Sequence, residues 1–171
     1  MSGGAPQPEW DAADPAGSLR AFAEWLHGEA RGMFARDGTH GHLLFLFDER
    51  RGLVSMNPVP PKTEPEQLLA GVRQAVRQHG LFGVVSVAEA WVYCPSGPRD
   101  HTLFQLRDGE TRAADLNEGD RREALLVELE SRGGDRLTWL SPILREGDGA
   151  ALGEGTLLPK GKRLKRQSWF D

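Results

Sequence analysis

Between residues 19 and 34, apolar side chains fall at Leu19, Phe22, Ala23, Leu26, Ala30, Met33 and Phe34. Steps of three and four place them on one stripe of a helix, and the pattern predicts a helix over 18–36. Ser18 is expected to cap its start and Gly38 to follow its end. Gly28 and Gly32 lie off the stripe and could mark a close approach by another chain. The period then changes. Residues 42–47, HLLFLF, are apolar on both alternating faces, which reads as a buried strand. A charged turn at 48–52 returns the chain as a second strand over 53–57. Pro58, Pro60 and Pro61 stop it, because proline cannot donate to a ladder. A second helix is expected from Thr63 onward. Thr63 and Glu66 have the spacing of a capping box, and Pro65 suits a first turn. Leu68, Leu69, Val72, Ala75 and Val76 line one side of it, and Gly80 ends it.

Residues 81–93, LFGVVSVAEAWVY, carry mostly apolar side chains on both faces, which makes this the central strand. A further strand is expected near 101–107. Residues 120–132 give two answers. Propensity favours a helix with Asp120 and Glu123 spaced as a cap, whereas Leu125, Val127 and Leu129 alternate as a strand. Gly133-Gly134-Asp135 suits a hairpin loop into 137–145, so the hairpin is adopted. The expectation is an α+β domain: an antiparallel or mixed sheet of about five to six strands, with two amphipathic helices on one face. Phe45, Val85, Val87, Trp91, Leu26 and Val72 are expected to be buried together. No internal repeat is visible.

Composition adds two facts. Hydrophobic residues are 39% of 171, enough for a core, while 21 Gly and 11 Pro imply generous loops. One cysteine excludes an internal disulfide framework and any cysteine-rich zinc site. The expected organisation is a flexible arm at 1–17, a domain at 18–150 and a tail at 151–171. No apolar run is long enough to span a membrane and no signal-peptide pattern opens the chain, so a cytoplasmic protein is expected.

Charge is more informative. Residues 158–171 hold five basic residues and one acid, a charge of +4. The rest of the chain then has 16 basic and 24 acidic residues, a charge of −8. A basic end on an acidic body suits an anionic surface: nucleic acid, a partner protein or another copy of this body. The expected binding residues are Lys160, Lys162, Arg163, Lys165 and Arg166, with Trp169 and Phe170 as apolar anchors. Basic and aromatic residues together also suit single-stranded nucleic acid.

The strand ending Glu89-Ala90-Trp91 and the stretch Asp120-Arg121-Arg122-Glu123-Ala124-Leu125 resemble a group of small bacterial and phage-associated proteins of unknown function. The resemblance covers about residues 40–145. It implies no catalytic residues, and it implies a phage or mobile-element setting with a non-enzymatic role.

Candidate chemistry is sparse. His40-Gly41-His42 is the most metal-like local pattern, but zinc needs three or four ligands and only Asp48 offers a third. Glu89 stands mid-strand, where a charge needs either a basic partner or a raised pKa of the kind a general acid uses. Arg73, Arg122 and Arg145 are its possible partners. Cys94 has a distant base in His101. No phosphate-binding glycine motif occurs, and no cofactor is implied. The expected function is a non-enzymatic protein-interaction or assembly domain with a partner-binding tail. The alternatives are a nucleic-acid accessory protein acting through 160–170 and a small enzyme using Glu89 with His40 and His42.

Overall fold

The first helix, α1 (Pro15–Asp37), starts one turn before its apolar stripe. Asp14 caps it by accepting from the Gly17 amide at 3.1 Å, and Pro15 supplies a first-turn residue with no amide to satisfy. Ser18, expected as the cap, is instead buried, and its hydroxyl is bonded to the Asp11 backbone. Gly38 ends the helix at φ 70°, with its amide on the Phe34 carbonyl. The second helix, α2 (Pro65–His79), starts at Pro65 and ends at Gly80 with φ 57°. Its capping box does not form. Glu64 takes the cap position without a side-chain bond, and the Thr63 hydroxyl donates to the Pro60 carbonyl at 2.6 Å.

These coordinates are a computed structural model that describes residues 4–93, 103–106, 121–158, 164–165 and 167–170. The strands among them are β1 (Leu43–Asp48), β2 (Gly52–Pro58), β3 (Gly83–Tyr93), β4 (Leu103–Leu106), β5 (Arg121–Ser131), β6 (Arg136–Glu146), β7 (Gly149–Leu152), β8 (Thr156–Leu157) and β9 (Leu164–Lys165). The fold is α+β. The main path of the sheet runs β2-β1-β3-β5-β6-β7. Neighbours along that path are antiparallel. β4 pairs with the end of β3 at 91–93, beyond the stretch covered by β1, and β9 lies parallel to β4. β8 pairs with β6. Elements beyond residue 150 therefore belong to the sheet.

β3 is central, as its sequence predicts: β5 runs along its full length and β1 along 83–87. Residues 121–131 are a strand, which settles the ambiguity of that segment. Its two faces are buried against different partners, Leu125, Val127 and Leu129 on one side and Ala124 and Leu126 on the other. Burial on both faces overrides the helix propensity of its Glu and Leu residues.

The helices occupy opposite faces of the sheet, which corrects the expectation of one shared face. α1 covers Phe45, Phe47, Val85, Val87, Leu125 and Val127. α2 covers Leu44, Leu46 and Val84. β1 and β3 present apolar side chains on both sides, so each side needs its own cover. The residues expected in one core therefore divide between two sides of the sheet. Leu26, Phe45, Val85 and Val87 share the α1 side and Val72 belongs to the α2 side.

Trp91 is 38% exposed and belongs to neither. It lies past the register of β1, where β3 pairs with β4 and β5 among the described residues. Trp91→Ala should therefore cost about 1–2 kcal/mol, less than the truncation of a fully buried ring. Leu125→Ala, at a fully buried site, should cost about 2–5 kcal/mol. Thermal melts of the two variants check this, and equal losses would place Trp91 in the core after all.

The N-terminal segment is held against the sheet, not free as its composition suggests. The Trp10 ring stacks on Phe47 at 5.6 Å, and its indole N–H donates to the Glu49 carbonyl at 3.0 Å. The Trp25 indole reaches back to the Ala5 carbonyl at 2.7 Å. Gly52 makes this packing possible. Its φ is +78°, and a Cβ there would stand 2.7 Å from Trp10 Cγ. Gly52→Ala should cost roughly 1–3 kcal/mol from the strained backbone and the displaced ring, read as a lowered melting temperature.

Candidate functional site

The C-terminal aromatics are positioned by α2 and β5. Trp169 is 7% exposed and packs among Leu44, Val72, Val76, Leu81 and Val84, with Phe170 against the same cluster. The Arg73 guanidinium donates twice to the Ser168 carbonyl, at 2.9 Å and 2.8 Å. Glu130 accepts from the Trp169 amide at 3.3 Å and from the Ser168 hydroxyl. Ser168 in turn accepts from the Phe170 amide at 3.0 Å. Trp169, expected as an apolar anchor for a partner, is thus buried inside this chain's own core. The reason is that α2 leaves a gap over Val84 and Leu44 that a large ring fills. Of the basic residues assigned to binding, Lys165 lies in β9, while Lys160, Lys162, Arg163 and Arg166 lie outside the described residues. So do Cys94 and His101.

Glu89 stands on the α1 face of β3, in register with Leu125. Its Oε2 accepts from the Thr39 hydroxyl at 3.3 Å, and its buried Oε1 has no hydrogen-bond partner among the described residues. Of the three arginines expected as partners, Arg73 is bonded to the Ser168 carbonyl, and Arg145 forms a two-bond pair with Glu123 at 2.9 Å and 2.8 Å while also feeling the Glu89 charge. That pair holds the Glu123 carboxyl below its ordinary pKa, and the Arg145 guanidinium is raised in return.

His40 is buried, and its Nδ1 donates to the Gly41 carbonyl at 2.6 Å. His42 precedes Leu43, which registers with Val87 on Glu89's face, so alternation turns His42 to the other face. Burial lowers the pKa of His42, and Glu128 partly offsets that. Among the described residues, no three His, Cys, Asp or Glu side chains are grouped to hold a metal ion. Among the described residues, no hydrogen bond links Glu89 to His40 or His42.

One polar cluster escapes a sequence reading. Ser141 on β6 is fully buried, and its hydroxyl lies 2.8 Å from His27 Nε2. The Arg31 guanidinium donates to that hydroxyl at 2.7 Å and to the Gly153 carbonyl at 2.9 Å. Burial, with Arg31 adding to it, lowers the His27 pKa to about 4, so the imidazole is neutral at pH 7. A neutral Nε2 can accept the Ser141 proton while the oxygen accepts from Arg31. The contact has the residue types of a nucleophile and base, but the hydroxyl has no exposed surface. What it does is tie α1 to β6 and to the segment after β7. Gly155 completes the contact, since a Cβ there would lie 2.6 Å from His27 Cε1. Partners 114 positions apart leave no local signal.

The described surface has one feature suited to recognition. β2 ends the sheet path, and its seven residues, GLVSMNP, include no charge. Leu53, Val54 and Met56 are 37%, 42% and 58% exposed. Opposite Leu46 and Phe47 its register shifts, so that one residue of β2 is left over. No helix among the described residues is long and apolar enough to cross a membrane.

A family model described as bacteriophage lambda protein ea47 matches residues 5–165. No curated protein and no solved structure matches the chain.

Proposed function

Because the chain belongs to the bacteriophage lambda protein ea47 family, we propose that it is a phage-associated interaction or assembly domain that binds an extended protein segment along β2. The observation that supports this reading is the uncharged outer strand with three large apolar side chains in solvent. Strand edges of soluble proteins are ordinarily blunted by lysine, by an inward charge or by proline. Here Pro58 guards the last position of β2, and the register shift bends the strand. An added strand would gain main-chain hydrogen bonds from the edge and apolar contacts from Leu53, Val54 and Met56.

The test is a pair of charged substitutions, Val54→Lys and Met56→Lys. Both sites are exposed, so the fold should keep its stability to within about 0.5 kcal/mol. Complexes that the natural chain forms, measured by co-elution and by light scattering, should be lost. If the variants keep the same complexes at the same concentrations, the edge is not the binding surface.

A further inference from the structure

We propose, on the reading of β2 as the binding surface, that its occupant is the β2 edge of a second copy of this chain. The two strands run antiparallel about a twofold axis at Ser55.

The main-chain groups of the edge fit this pairing. Val59 donates to the His42 carbonyl at 2.9 Å, so position 59 faces β1. Main-chain direction alternates along a strand, which turns Asn57 and Ser55 toward β1 and Met56 and Val54 outward. Pro58 also faces outward but has no N–H to give. A complete donor and acceptor set therefore stands at Val54 and at Met56. With Ser55 opposite Ser55, each Val54 meets the Met56 of the other copy, and every one of these outward groups is paired. Centring the pair on Met56 instead sets Val54 against Pro58. Centring it on Val54 sets Met56 against Gly52, beyond the register shift.

The side chains fit as well. Met56 registers with Phe45 and Leu53 with Phe47, which places both on the α1 face, and alternation from Met56 adds Val54. The register shift is what brings Leu53 and Val54 to one side. Across the twofold the two apolar strips join, and each copy covers the other's exposed surface.

Charge favours a second copy over a foreign strand. A charge within a self-pairing strand repels its own copy, so an edge kept for a foreign segment carries one as a guard. β2 carries none. Past the paired stretch the charges are opposite. The same register carries Arg50 and Arg51 of one copy toward the turn that leads into Glu64 and Glu66 of the other, with Lys62 between them.

The test is sedimentation equilibrium of the full chain with Val54→Lys and Met56→Glu, exposed positions that face each other in this register. The natural chain should be a reversible dimer. Each variant alone should dimerise at least tenfold more weakly, and an equal mixture should restore a heterodimer, because the new lysine then stands opposite the new glutamate. A natural chain still monomeric at about 1 mM would overturn the proposal. So would a mixture that dimerises no better than its parts. A second readout uses Ser55→Cys in a Cys94→Ser background. Opposed positions of this kind lie about 4.5 Å apart at Cα, within disulfide reach, so mild oxidation should link two copies. Asn57→Cys, opposite Leu53, should link far more slowly, and equal rates would overturn the twofold at Ser55. If the dimer is intact in both charged variants, self-pairing fails. Loss of a complex with another protein in those same variants would leave the edge reading standing.

Discussion

Trp169→Ala is expected to lower the melting temperature by roughly 10–15 °C. The ring is nearly fully buried in the α2-side cluster. Truncating a buried Trp to Ala costs about 3–5 kcal/mol, because the transfer energy is lost and a cavity remains. In a chain of this size each kcal/mol shifts the melting temperature by roughly 2–4 °C. Leu44, Val72, Val76 and Val84 would all border the void. Deleting residues 158–171 should destabilise at least as much, since it also removes the bonds to Arg73 and Glu130. An unchanged melting temperature would mean that the ring adds nothing to the core.

Acidification from pH 6.5 to pH 4 is expected to destabilise the protein by up to about 3 kcal/mol through His27. In the unfolded chain this histidine takes a proton near pH 6.5. In the folded chain it resists protonation down to about 4. Between those values the unfolded state binds more protons, so stability falls as pH falls and levels off below the folded pKa. His42, also lowered, adds in the same direction. Glu123 and Asp48 act lower, because their carboxyls are held below ordinary values and lose their pairing only as they protonate. His27→Gln keeps an acceptor for Ser141 and has no titration in this range. Denaturant midpoints at pH 7, 6, 5 and 4 should fall less steeply in that variant than in the natural chain. Parallel curves would remove His27 as the source.

Much of the fold is legible in local pattern. The stripe from Leu19 to Phe34 marks α1, the two-faced apolar run of 81–93 marks the central strand, and the alternation of Leu125, Val127 and Leu129 marks β5. These signals survive because they arise between residues a few positions apart. The capping box was legible and misleading: Pro65 began α2 one residue after Glu64, so Thr63 turned to the Pro60 carbonyl instead.

For the candidate site, the sequence by itself determined the uncharged β2 strand, the basic run at 160–166 and the aromatic pair that follows it. Only the tertiary structure decided that Trp169 closes the α2-side core, that His27 meets Ser141, and that His42 is turned away from Glu89. The same holds for the two helices, which separate to opposite faces because the strands between them are apolar on both. An apolar period states that a side chain will be buried. Which partner buries it depends on strand order and register, set by pairings such as Val87 with Val127 across 40 positions, and those pairings leave no trace in any local window.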